Sequence, residues 1–536
     1  MFLNRLISIV AASVFTSLNT LWSQPYSDHN AISSFARSLA RENPSVCNAT
    51  SIAKTPGGKD IWVIVAGTGD RDSKPGIAVV GGVEGNYLLG REISLRLATA
   101  LCSNPSQEIR NLLDKVTFYI FPDVSPDASE QYFSNPKYER TINANRTDDD
   151  RDFMINEDPF EDLDGDGFIT HLRVEDPAGK FIIDTDDLRI MTAADISRGL
   201  TGGWLYLTEG TDNDKDGSFN EDGEGGVSFN HNFTYDYEEF GKNAGLNPVS
   251  EPETKAVADF LYDHFNIFAV FSFGPQDNLG QPLKSSDRTS PDRRITSIMK
   301  SDETINRLVS DKYHEMTHLK GSPQSIVTPG NFMDWAYYHY GRYSFSTPGW
   351  WFPAEKGKNP EAEFLAYAEK NNIKDVFVPW KAISHPDFPG KNAETGGIMP
   401  FVMINPPADS VDAMADRNVK FLTAVASMHP ELEFTGVATE KTGDGIYRLT
   451  LRVHNKGVFA TMTEAGENNI FTRLMRISIE PGKGQQILSG RKVQRMERIT
   501  GGDSKEYSWL IQGKGAVKVT AGAVNTGIIN TSVELR

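Results

Sequence analysis

Three short β-branched and aromatic runs, residues 61–65, 77–80 and 116–121, lie close together in a chain of 536 residues, with a helical pattern at 89–101 between the last two. Strands that alternate with helices predict an α/β sheet with helices on its faces. Further along, Ser250-Glu251-Pro252-Glu253 has the spacing of a Ser-x-x-Glu capping box, in which the two side chains satisfy each other's orphan amides. It predicts a helix running toward His264, and residues 266–273 then read as a buried strand. Past residue 430 the pattern changes to short alternating strands at 447–453, 474–479, 507–511 and 516–520. That spacing predicts a small C-terminal β-sandwich. The expected organisation is a mixed α/β domain over 24–429, its sheet flanked by helices, and a β-sandwich over 430–536.

Residues 140–226 break this pattern with an acidic, glycine-punctuated stretch that carries little apolar periodicity. We expect an insert held by bound cations rather than by a core. Asp162, Asp164 and Asp166, and again Asp212, Asp214 and Asp216, place carboxylates at alternate positions before a turn-forming glycine. This suits calcium, which takes several oxygens at once. Position twelve of each loop is Arg173 or Gly223 rather than an acid, so neither is an EF-hand, and ligation is expected to close through neighbours such as Asn220 or Asp222. Asp148-Asp149-Asp150-Arg151-Asp152 is a weaker third copy, with Phe153 where glycine would stand.

The net charge of −18 opposes nucleic-acid partners, and 39% hydrophobic residues are ample for a core. Arg5 ahead of the apolar run 6–15, with a polar exit near Ser23-Gln24, has the form of a secretory signal over 1–23 and predicts a secreted or periplasmic protein. No later apolar run approaches the roughly 18 residues that a spanning helix needs. Cys47 and Cys102 are the only cysteines; an exported chain can pair them or bury both as thiols.

The candidate chemistry lies where the 77–80 run turns into a helix, Gly81-Gly82-Val83-Glu84-Gly85-Asn86-Tyr87-Leu88-Leu89-Gly90-Arg91-Glu92. Three further blocks follow in order: Ser228-Phe229-Asn230-His231-Asn232-Phe233, residues 268–279, and Asp334-Trp335-Ala336-Tyr337 with Tyr343-Ser344-Phe345-Ser346-Thr347 after it. Together they resemble the M14 zinc carboxypeptidases, from about residue 30 onward, and imply that family's mixed sheet and a cleft for a peptide C-terminus. The resemblance places Glu84 and Tyr87 at two zinc-ligand positions, Gly274 at the third, and Pro348 at the general-base position. It also places His231 where a carboxylate-binding arginine stands, whereas Asn230 and Tyr337 match. Catalytic zinc needs three protein donors, an open position for water and a nearby proton acceptor. Glycine and proline supply none of these, so zinc is not expected.

One motif points elsewhere: His314-Glu315-Met316-Thr317-His318 is a literal His-Glu-x-x-His, the helical pattern that offers two imidazoles and a base to zinc. The first expectation is a calcium-stabilised protein of carboxypeptidase type that has lost hydrolysis and binds a peptide end or another ligand through Asn230, His231 and Tyr337. The alternatives are a metallopeptidase, through the His314/His318 pair with Glu315 or an atypical set such as Glu84, Asp277 and His231, and a purely structural cell-surface protein.

Overall fold

The computed structural model describes residues 26–147, 155, 158–185, 187–215, 217, 219–220, 225–286, 295–355, 357–467, 469–470 and 472–536. The signal segment, the Asp148–Asp152 copy, Asp216 and Asp222 lie outside the described residues. A six-stranded mixed sheet forms the centre, in the order Cys47–Lys54, Asp60–Ala66, Thr117–Phe121, Gly76–Val80, Ile267–Phe273 and Tyr343–Thr347. The last four run parallel to one another, and the first two join antiparallel.

The period of two along each strand explains why this sheet is buried on both sides. Ile77, Val79, Phe118, Ile120, Ala269 and Phe271 face one core, against the helices Leu89–Cys102 and Val411–Ala426. Ala78, Val80, Tyr119, Phe121 and Val270 face the other, against Pro252–Asp263 and Phe332–Tyr338. The capping box does not form. The helix begins at Pro252, which makes Glu251 its N-cap residue. Ser250 Oγ instead donates to Glu251 Oε1, and Glu253 accepts from Asn143 Nδ2.

The acidic insert has more order than its composition predicts. Its strands His171–Glu175, Trp204–Thr208, Phe181–Ile183 and Met191–Ala193 join Phe377–Ile383 and Ala393–Ile398 in a second six-stranded antiparallel sheet. Leu172, Val174 and Ala393 form a small core there. The Arg173 guanidinium lies between the Trp380 and Trp204 rings at 4.1 and 5.4 Å and pairs with Glu394 at 2.6 Å. The expectation of an insert without a core is thereby corrected.

Two facing four-stranded antiparallel sheets make up residues 432–535, as the alternating strands predict. Leu449, Leu451, Val453, Ile477, Ile479, Trp509 and Ile511 fill the space between them. Cys47 and Cys102 are free, buried and in contact with each other. No helix among the described residues is long and apolar enough to cross a membrane.

Candidate functional site

The strands Gly76–Val80 and Ile267–Phe273 are direct parallel neighbours, so the segments leaving their carboxyl ends emerge side by side. This is the crevice where open α/β sheets place ligands. The first segment turns at Gly82, whose φ is +67° and where a Cβ would lie 2.2 Å from Asp123 Oδ1; only glycine fits. Arg91, fully buried, pairs with Asp123 at 3.2 Å and fixes the turn against the following helix. Further along, Asn405 Oδ1 accepts from Leu88 N–H, and Asn86 Nδ2 donates to Glu139.

This turn delivers Glu84 into the interior. Burial pushes its carboxyl up to about 7, with only partial relief from Asn230 and Ser228 beside it. Asn230 Nδ2 donates to Glu84 Oε2 at 2.9 Å and to Gln276 Oε1 at 2.8 Å, while Asn230 Oδ1 accepts from Phe332 N–H at 3.0 Å. Asn230 therefore spends both of its N–H donors and one Oδ1 lone pair within the protein. Gln276, which links the two strand ends, sits inside the 268–279 block, but no short-range pattern distinguishes it.

Gly274 follows the second strand and accepts no ligand side chain: a Cβ there would meet Val83 Cγ2 at 2.4 Å. Its N–H donates to Thr347 O, which brings Pro348 alongside. Tyr87 is largely buried, and desolvation, reinforced by the Glu84 and Glu139 charges, pushes its hydroxyl well above the ordinary range. The structure thus gathers Glu84, Tyr87, Gly274 and Pro348 around one point. What it gathers is one hydrogen-bonded carboxyl, one neutral phenol and two side chains without donors. Three zinc ligands are not present there, and the residues do not fit the ion.

The other expected residues separate. His231 is half-buried, its Nδ1 3.3 Å from Lys242 O, and burial lowers its pKa, so it is a neutral imidazole near pH 7. Tyr337 has its hydroxyl engaged within the protein. Its hydroxyl donates to Asp302 Oδ2 at 2.7 Å and accepts from Met299 N–H at 3.0 Å, inside an apolar cluster with Ile298 and Ala465. Asp277 accepts from the Gly280 and Gln281 N–H groups, and its carboxyl is raised to about 6 by burial. It does not converge with Glu84 and His231, since the one carboxylate, imidazole or thiol group of three found to converge among the described residues is Asp162, Asp164 and Asp166.

The His-Glu-x-x-His motif is also corrected. The helix Lys300–Thr317 ends before His318, which is left-handed at φ +59°, so the two imidazoles do not share a helical face. Both ring nitrogens of His314 lie against carbonyl oxygens, of Leu319 at 2.8 Å and Gly280 at 2.9 Å, so neither points into an open site. Glu315 is exposed and pairs with Lys312.

In the insert, the first acidic loop closes on itself. Asp162 accepts from Gly165, Asp166 and Gly167 N–H, and Lys381 reaches Asp164 at 3.3 Å. Burial and the Asp164 and Asp162 charges raise the Asp166 carboxyl. In the second loop Asp212 Oδ1 and Asn220 Oδ1 are buried with no hydrogen-bond partner among the described residues.

The family model described as zinc carboxypeptidase matches residues 32–350, more than half of the chain, and a family described as a domain of unknown function matches 431–534. Mouse Carboxypeptidase M is 29% identical over 172 residues, covering 30% of this chain and 35% of that protein. Mouse Carboxypeptidase B2 is 36% identical over 107 residues, 19% of this chain and 25% of that protein. The chain thus spans about a third or less of the length of these relatives. Among solved structures, thrombin activatable fibrinolysis inhibitor aligns at TM-score 0.43 and 15% identity, covering 75% of this chain and 74% of that one. The Helicoverpa armigera carboxypeptidase A aligns at 0.42 and 13%, covering 75% and 73%. On the family match, which takes in the strand-end turn, the Asn230 segment and the Tyr343–Thr347 strand, the chain belongs to the zinc carboxypeptidase family.

Proposed function

We propose that this chain is an exported, non-hydrolytic member of the family, a binding protein on a carboxypeptidase frame. One observation carries the reading. At the point where two parallel strands deliver the family's ligand positions, the only metal-binding group is Glu84, and its carboxyl is desolvated and bonded to Asn230. A Lewis acid cannot be held by one such group, and Pro348 cannot move a proton. Zinc analysis of protein purified without a metal-binding tag tests this, together with release of C-terminal residues from a peptide panel. The expected result is zinc far below one per chain and no release. Stoichiometric zinc with turnover abolished by Glu84→Gln sinks the proposal.

Binding of a peptide terminus in the old cleft has little support, since Asn230 and Tyr337 have their polar groups engaged internally and His231 lacks the fixed charge of an arginine. Structural calcium has more. Three aspartates converge at 162–166, and the second loop has two buried oxygens without donors among the described residues. Such groups are costly unless a cation or donor meets them. The export reading rests on the N-terminal charge and apolar pattern, and a cleaved N-terminus near residue 24 in culture medium or periplasm is its check.

A further inference from the structure

A cavity of about 750 Å³ opens between the end of the helix Pro360–Lys370, the loop after it and residues 400–410. Most of its lining lies at residue 350 or beyond, at or past the edge of the family match. Asn405, which holds the Glu84–Leu88 turn from behind, forms part of the wall.

Three aromatic side chains decide its chemistry. Trp350 is 5% exposed, whereas Tyr132 and Tyr367 are half-buried. The Trp350 Nε1–H and the two hydroxyls have no protein partner among the described residues and are not sealed from solvent, so they remain available to an occupant of the cavity they line. Each such side chain is an apolar plate with a polar tip, so an occupant that covers the tips must supply them with hydrogen-bond partners. Phe401 adds strain to the same wall. Its φ of +72° is an outlier for a bulky residue, and Glu139 holds it there by accepting its N–H at 2.7 Å, while its ring meets Tyr132 edge-on. The rim carries Lys374 against Asp375 and Asp409, which selects for no strong net charge.

A fully apolar occupant would leave the indole and phenol groups unpaired, a loss that binding sites penalise heavily. A strongly charged one would find no clustered counter-charge. What fits is a neutral molecule with apolar faces for the aromatic plates and hydroxyls for their tips. We propose that the cavity walled by Tyr132, Trp350 and Tyr367 is a binding site for a neutral saccharide. The site is separate from the strand-end crevice, and its occupancy does not depend on whether Glu84 holds a metal.

Calorimetric titration of the full chain with maltohexaose, cellohexaose, xylohexaose and chitohexaose tests this. At least one is expected to bind once per chain with Kd at or below about 1 mM, and Tyr367→Ala to weaken it about tenfold. Tyr132→Phe, which removes a single hydroxyl from a half-buried ring and leaves the fold intact, is expected to weaken binding severalfold with Tm unchanged. Failure of all four sugars to bind overturns the proposal, as does binding that neither variant alters. Binding of hexaproline, lost in Tyr367→Ala, with no sugar bound, also overturns it and assigns the cavity to a peptide. Glu84→Gln leaves sugar binding as it is, so a wrong reading of the zinc position and a wrong reading of the cavity give different results.

Discussion

Glu84 is a carboxyl whose surroundings favour the neutral form. Its pKa stands near 7 in the fold against an ordinary 4.5, so between those values the unfolded chain ionises while the folded one keeps its proton. Stability contributed by this group is therefore greatest below about pH 4.5, falls as pH rises through the window, and is lost by about 3 kcal/mol above 7. Glu84→Gln keeps an acceptor for Asn230 and removes the titration. Denaturant midpoints should thus separate, with the variant more stable than wild type at pH 8 and the two equal at pH 4. Equal midpoints at pH 8 would mean that Glu84 is solvated. The identity of residue 84 was legible in the strand-to-helix pattern around it, but its burial was not. Nor was the engagement of Asn230 by Gln276 and of Tyr337 by Asp302, because those partners are 46 and 35 residues away. The His314 motif shows the same limit: its spacing is helical, whereas the helix end that separates its members is set by the left-handed turn at His318.

Elements were most legible where period and length agree. The runs at 77–80 and 266–273 became strands with alternate residues in two cores, and the four C-terminal runs became sandwich strands. The insert was misread because its sheet is completed by strands some 200 residues later, Ala393 pairing with Val174, and short half-buried strands show little period by themselves. At this scale the close approach of the segments leaving the two parallel strands makes a prediction. Gly274→His, although it restores a donor, forces Val83 aside and should destabilise the fold by about 1–3 kcal/mol without adding zinc. Urea unfolding with parallel metal analysis checks both halves, and bound zinc at unchanged stability would refute the packing argument. The acidic loops make another. If calcium closes them, chelator should lower Tm and open residues 158–220 to protease, with calcium but not magnesium reversing both, since magnesium sheds its water shell reluctantly and demands stricter geometry. Cleavage and Tm that chelator leaves unchanged would show that the second sheet and the Lys381 contact hold the insert alone.

The two units of the molecule each have a core, so their cooperation depends on what joins them. The junction has an apolar part, with the buried Phe459 packed on Phe268, Tyr343 and Phe345, and a polar part around Asp302, fully buried at the start of the helix Lys300–Thr317. Its carboxylate accepts from Glu464 N–H at 3.0 and 2.9 Å, Ala465 N–H at 3.3 Å and the Tyr337 hydroxyl, and Arg498 of the sandwich approaches to 3.4 Å. Lys115 adds a contact to Glu431 at 3.1 Å on the surface, where screening leaves it little weight. Removing one partner from a buried charged network leaves the rest desolvated and unpaired, which costs about 3–5 kcal/mol. Asp302→Ala would remove the acceptor of two backbone amides and a phenol and the counter-charge of Arg498, whose Nε keeps only the Met462 carbonyl. The penalty falls on the junction rather than on either core. Wild-type protein should then melt in one calorimetric transition and Asp302→Ala in two, the sandwich and the α/β unit unfolding separately, with saccharide binding retained because the aromatic cavity lies wholly on the α/β side. A single transition in the variant, displaced by less than about 2 °C, would mean that the units are coupled elsewhere and that Asp302 serves only its own helix.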